Sequence, residues 1–164
     1  MLVALRSPLR LAFAKSKKEF GFLERRFTPR TVFMEIGGSD CALAQHAATF
    51  VERVYAIDVS GQFLHNVLAP SNLRLVLCDG VRIPVPEATV DLAWSGAFMD
   101  HLHPDDATGH LRSVRRALAD GGEYLCETAS PQETRRRMLA AGFSAVRIPL
   151  LSRFLKSARI AAVK

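Results

Sequence analysis

The chain is 164 residues long, 49% hydrophobic and 23% charged, with a formal net charge of +6. That balance belongs to one globular domain with a continuous core and excludes a disordered chain; no apolar run approaches the ~20 residues that crossing a bilayer requires. The charge excess is confined to residues 1–30, where eight Lys/Arg face only Glu19 and Glu24, while 31–164 carries fourteen basic and fourteen acidic residues. The body therefore offers no broad cationic face for nucleic acid.

Residues 1–30 read as a basic amphipathic helical segment distinct from the domain 31–164. Leu2, Leu5, Leu9, Phe13 and Phe20 recur at near-helical spacing among the cations, and Pro29 ends the segment. The plain expectation is a helix that packs on the domain with its cations in water. A peripheral membrane contact or an Arg-rich presequence is the alternative. The three cysteines (Cys41, Cys78, Cys126) are odd in number and widely spaced, which predicts free thiols in a reducing cytoplasm.

From Thr31 onward strands and helices alternate. Strands are expected at 31–36, 53–58, 73–77, 90–95, 123–127, 143–148 and 158–163, and helices at 42–50, 62–68, 104–119 and 131–141. Pro104 suits a first helical turn, and Ala107, Leu111, Val114 and Leu118 line one face of that helix. Gly121-Gly122 is expected to stop it. The pattern predicts an α/β domain: a single doubly wound, mostly parallel seven-stranded sheet of Rossmann-like type, preceded by the N-terminal helical segment. Its ligand crevice is expected at the carboxyl ends of the strands, where strand order reverses.

Chemistry-bearing residues stand at those strand ends. After the first strand comes Glu35-Ile-Gly-Gly-Ser-Asp-Cys41, whose Gly37 and Gly38 permit a tight turn and leave no side chain between backbone and ligand. The helix that follows is expected to present free N–H groups suited to a carboxylate. A plain tight turn explains the glycine pair equally well. Asp58 ends the second strand, 21 residues beyond Gly37, where a doubly wound domain places an acid over a ribose diol; it also suits a helix N-cap. Asp79-Gly80 follows the third strand in the same manner.

This series resembles the class I S-adenosylmethionine-dependent methyltransferases over roughly residues 30–164. Their first motif runs acid-x-Gly-x-Gly-x-Gly, matched by Glu35 and Gly37, with Ser39 and Cys41 at the later glycine positions. The stretches 83–91, 98–104, 118–125 and 141–143 resemble the family's entries into strand four, the helix after it, strand five and strand six. The resemblance implies S-adenosyl-L-methionine as cofactor, with Glu35, Gly37, Gly38 and Ser39 around its methionine part and Asp58 on the ribose hydroxyls. Val59 is then expected beside the adenine, Asp79 and Gly80 on the adenine edge, and Ser95 near the amino-acid end. No glycine spacing suits an NAD fingerprint.

Methyl transfer is an in-line displacement whose main demands are alignment and exclusion of water, with a general base needed only where the acceptor loses a proton. Base candidates cluster in Asp100-His-Leu-His-Pro-Asp-Asp106, with His101 first and Asp100 second; the same residues suit helix capping. His46 and His65 read as packing or surface residues, no zinc spacing occurs, and Arg135-Arg136-Arg137 reads as a solvated face. The expected function is methyl transfer to O, N or C of a small molecule, with a protein or RNA acceptor open. A non-catalytic scaffold of the same fold is the rival, because Ser39 and Cys41 stand at glycine positions.

Overall fold

The computed structural model describes residues 19–38, 40–61, 69–149 and 158–164. The helix expected at 62–68, with His65, lies outside the described residues, as do Ser39 and residues 1–18. Among the rest, seven strands form one sheet: β1 (Val32–Ile36), β2 (Arg53–Asp58), β3 (Leu73–Leu77), β4 (Val90–Ser95), β5 (Leu118–Thr128), β6 (Ala145–Arg147) and β7 (Ala158–Val163). Their order is β3-β2-β1-β4-β5-β7-β6. β1 to β5 are mutually parallel, and β7 runs antiparallel between β5 and β6. Order reverses between β1 and β4, so the crevice expected from the pattern falls at the carboxyl ends of those two strands.

Alternation along each strand builds two cores. Met34 and Ile36, Tyr55 and Ile57, Ala93, Tyr124 and Cys126 face α2 (Pro104–Ala117) and α3 (Pro131–Ala140), which contribute Ala107, Leu111, Val114, Ala117 and Met138. Phe33, Val54, Ala56, Leu92, Trp94 and Leu125 face the other way, against Leu43, Ala44 and Ala47 of α1 (Ala42–Ala47) and against Phe20 and Leu23. Each fully buried large side chain contributes about 1.5–3 kcal/mol, so the two layers fix which edge of the sheet is left open for chemistry.

The described end of the basic N-terminal segment is therefore part of the core. Residues 19–23 are helical and lead into a 3-10 turn at Glu24–Arg26. Leu23 is fully buried. Arg26 pairs with Glu123 at 3.2 Å, and the Arg159 guanidinium lies 4.3 Å from the centre of the Phe22 ring.

Several boundaries differ from the sequence expectation. Helix α2 ends at Ala117, and Leu118 is already extended with φ −64° and ψ 138°. Gly121-Gly122 lies inside β5, where the register against β4 shifts between Val90 and Leu92. Gly121 has φ +77°, and a Cβ on Gly122 would lie 2.9 Å from the carbonyls of both Val90 and Ala119. The pair makes a bulge, which the same two letters encode as well as a helix stop. Helix α1 ends at Ala47 rather than residue 50, and β6 shrinks to three residues. No described helix is long and apolar enough to cross a membrane.

Candidate active site

The turn after β1 is shaped by two glycines for different reasons. Gly37 sits at φ +76°, and its N–H donates to the Ile57 carbonyl at 2.8 Å, tying the turn to the end of β2. A Cβ there would lie 2.6 Å from the Phe98 ring, and a Cβ on Gly38 would overlap the Glu35 carboxyl. Cys41, at the motif's third glycine position, is itself left-handed with φ 53°, a conformation that costs a side-chain-bearing residue about 1–2 kcal/mol. Its side chain is buried. Burial, together with the nearby Glu35, Asp58 and Asp40 carboxylates, pushes its thiol up to about 12, so it is no nucleophile at neutral pH.

Glu35 is buried beneath this turn, and its Oε2 accepts from the Ala44 N–H at 2.9 Å. Burial raises its pKa to about 8, helped by Glu19 and, more weakly, Asp40 and Asp58, against the opposing Ala44 hydrogen bond. Asp40 Oδ1 takes the Ala42 N–H at 3.1 Å. The first-turn amides of Ala42 and Ala44 are thus occupied by the chain's own carboxyls, not open to a ligand as the sequence suggested.

The neighbouring strand ends converge on the same edge. Asp58 is buried at the end of β2, with Oδ1 accepting from Ser60 N–H at 2.8 Å, and its carbonyl accepts from Cys78 N–H at 3.0 Å. Asp79 folds the turn after β3 around its own carboxylate: Oδ1 accepts from Val81 N–H at 2.9 Å and Arg82 N–H at 2.6 Å. The Arg82 and Val81 amide bonds, in that order, hold its carboxyl below the usual carboxylate range. Gly80 has φ +85°, and a Cβ on it would lie 3.3 Å from Val59 and 3.6 Å from Leu102. Val59 itself is half-exposed. Ser95 is fully buried, and its hydroxyl is bonded to the Tyr124 hydroxyl at 2.7 Å.

Past β4, the 3-10 turn Ala97–His101 carries both base candidates. They have separate roles. Asp100 Oδ1 accepts from Thr128 Oγ1 at 2.7 Å and Oδ2 from Ala129 N–H at 2.9 Å, pinning the turn to the end of β5. His101 is exposed, and its ring makes no hydrogen bond among the described residues. His103 caps α2, its Nδ1 accepting from Asp105 N–H at 3.4 Å. His46 is an exposed residue of α1 whose ring lies against Phe20, 4.1 Å centre to centre. Arg136 and Arg137 both pair with Glu133 at 2.7 Å. Among the described residues no cluster of His, Cys, Asp or Glu suits a metal ion.

A sequence profile of the methyltransferase domain matches residues 34–126. The chain belongs to that family. Solved structures carry the same fold at low identity. An S-adenosylmethionine-dependent methyltransferase of Mesorhizobium loti is 15% identical, over 89% of this chain and 97% of its own, with TM-score 0.71. One from Aquifex aeolicus is 17% identical over 97% and 93%, with TM-score 0.68. A Haemonchus contortus N-methyltransferase bound to phosphomonomethylethanolamine and S-adenosylhomocysteine is 15% identical over 90% and 53%, with TM-score 0.71. Among curated proteins, none is similar enough in sequence to match. The class is that of the S-adenosylmethionine-dependent methyltransferases, and S-adenosylmethionine is its cofactor.

Two features of this methyltransferase site were not singled out in the sequence. Phe98 lies against Gly37 and, with ring centres 5.2 Å apart, against His110. His110 is fully buried and bonds the Gly80 carbonyl at 2.8 Å through Nδ1. The available signal was its spacing: three residues after Ala107 and four before Val114, it occupies the apolar stripe of α2.

Proposed function

We propose that the chain transfers a methyl group from S-adenosylmethionine to O, N or C of a small molecule at the edge formed by the turns after β1 to β4. The observation that carries this reading is the convergence of those turns: Gly37 on Ile57 and Phe98, and Gly80 on Val59 and Leu102. The residues fit the cofactor. Gly37 and Gly80 interpose no side chain, and Asp40, Asp58 and Asp79 follow or end successive strands at one sheet edge, the sign that a cationic ligand favours, while Glu35 beneath the first turn is held mostly protonated by burial until a cation arrives. The cofactor, when bound, supplies a methyl group on a positively charged sulfur.

In this reading Asp58 accepts from the ribose hydroxyls, while Asp79 and Gly80 border the adenine, with Val59 beside it. Glu35, Gly37, Gly38 and Ser39 enclose the methionine part. The Ser95 hydroxyl is fully buried against Tyr124, so the contact proposed from that residue falls to its backbone. His101 takes the acceptor's proton where the acceptor must lose one, and Asp100, held by Thr128 and Ala129, positions the turn that carries it.

The acceptor class draws support from the Haemonchus relative, whose structure holds a small amine on the same fold; a protein or RNA acceptor is the second possibility. The free thiols of Cys41, Cys78 and Cys126 suit a reducing cytoplasm. The scaffold alternative rests on the missing glycines, and Cys41 weakens it, because it adopts the left-handed conformation that glycine favours. The test is calorimetry with S-adenosylmethionine and S-adenosylhomocysteine on wild type and Asp58→Ala. Loss of hydrogen bonds to a carboxylate, worth ~1.5–3 kcal/mol, should weaken binding about tenfold to a hundredfold. A folded Asp58→Ala protein with unchanged affinity would overturn the site.

A further inference from the structure

We propose that His110 is a positioning residue for cofactor binding, coupling the Asp79-Gly80 turn to the Gly37 turn from inside helix α2. The proposal rests on the reading that these two turns hold S-adenosylmethionine. Three contacts carry it. His110 Nδ1 is 2.8 Å from the Gly80 carbonyl. A carbonyl only accepts, so Nδ1 carries the proton and donates. The imidazole ring packs on Phe98, with centroids 5.2 Å apart and planes at 40°, and Phe98 in turn covers Gly37 at the distance where a Cβ would collide. One side chain thus reaches the turn after β3 by a hydrogen bond and the turn after β1 through a phenyl ring.

The arrangement is not what packing alone selects. Nε2 of His110 is buried and has no hydrogen-bond partner among the described residues. An unpartnered buried nitrogen destabilises, and an aliphatic side chain at this place on the α2 stripe avoids that penalty. Burial, against the weaker effect of the Gly80 bond, lowers the pKa to about 4, so the ring is neutral at physiological pH and Nδ1–H donates as a neutral tautomer. What the histidine adds over leucine is the bond to Gly80. Gly80 has φ +85° and sits in the Asp79 turn, whose backbone amides are held by the Asp79 carboxylate at Val81 and Arg82 and by the Cys78 sulfur at Gly80, so the His110 bond is what ties this turn to helix α2 through the Gly80 carbonyl.

The test compares His110→Leu with His110→Asn, whose side-chain amide can place an N–H near the Nδ1 position. S-adenosylhomocysteine binding is measured by calorimetry, and amide exchange at Val81 and Arg82 by NMR or mass spectrometry, beside thermal unfolding. His110→Leu loses the bond and the unpartnered nitrogen together, so its unfolding temperature should move little. Its affinity should fall roughly three- to tenfold, the equivalent of one hydrogen bond, and the Val81 and Arg82 amides should exchange faster. His110→Asn should recover most of the affinity. If His110→Leu does not fold, His110→Gln replaces it, since its longer side chain moves the amide away from Gly80. Unchanged affinity in a folded His110→Leu protein overturns the proposal, as does equal loss of affinity and stability in both variants, which marks a purely structural role. Asp58→Ala, run in parallel, separates the two readings. If it binds normally, the cofactor site itself is wrong and the proposal falls with it; if it binds weakly while His110→Leu binds normally, only the role of His110 is wrong.

Discussion

Glu35 and His110 are buried titratable groups on opposite faces of the sheet, and their effects on stability oppose each other. Glu35 binds its proton more tightly in the fold, at about 8 against 4.5; it stabilises fully below about pH 4.5 and loses that contribution as pH rises through about 8. His110 binds its proton less tightly, at about 4 against 6.5; its contribution is present above about pH 6.5 and lost as pH falls through about 4. Between pH 4.5 and 6.5 the two slopes cancel, and between 6.5 and 8 only the loss from Glu35 is left. The unliganded protein should therefore melt at lower temperature at pH 8 than at 6.5. Glu35→Gln should abolish that fall and unmask a rise between pH 4.5 and 6.5 that belongs to His110. Melting curves of the two proteins over this range decide it; an alkaline fall that persists in Glu35→Gln assigns the effect to another group. A cation bound beside Glu35 favours its ionised form, so cofactor affinity should climb with pH through the same upper window.

How far individual residues were legible follows from the range of their partners. Asp58 and Gly80 stand at strand ends, and strand ends are visible in local alternation. The Ser95 hydroxyl is committed to Tyr124, 29 residues away, and nothing near Ser95 in the chain announces that partner. His110 was hidden for a different reason: a polar letter on an apolar stripe gives no indication of which backbone carbonyl lies opposite.

At the scale of elements, Gly121-Gly122 shows one signal with two meanings. Glycine after a helix with a strong apolar stripe reads as a terminator, yet α2 has already ended four residues earlier, and the glycines let β5 bulge against β4. The bulge allows β5 to start pairing at Leu118, opposite Val90, and resume at Glu123, opposite Leu92. Gly122→Val should be costly because the colliding atoms are backbone carbonyls, 2.9 Å from the new Cβ. Overpacking of this kind costs typically ~1–3 kcal/mol. Chemical denaturation should show the loss, and a variant as stable as wild type would mean that the β4–β5 register is not fixed by this glycine.

For the molecule as a whole, the basic N-terminal segment and the domain are not independent. Phe20 is buried and Leu23 fully so among the residues of one sheet face. Removal of residues 1–30 discards both, along with the Arg26–Glu123 pair and the Phe22 ring beneath Arg159. Two such side chains are worth about 3–6 kcal/mol together, a large part of a domain's usual 5–15 kcal/mol or so. The truncated protein should therefore melt far below the full chain, or fail to fold, although every proposed cofactor residue lies at Glu35 or beyond. Thermal unfolding of the truncation checks this; a melting temperature equal to that of the full chain would show the segment to be dispensable for folding.

The sheet order also constrains how the chain can be assembled. β7 lies between β5 and β6, so β6 leaves the ribosome before the strand that must separate it from β5. For that interval β5 presents an unpaired edge, the kind of template on which nascent chains mispair. A long β6 could dock there in the parallel sense and block β7. At three residues, Ala145–Arg147, it forms too few ladder bonds to hold that place, whereas β7 brings six paired positions against β5. The brevity of β6 then works as a timing device: the later-made strand wins its slot because the earlier competitor cannot keep it.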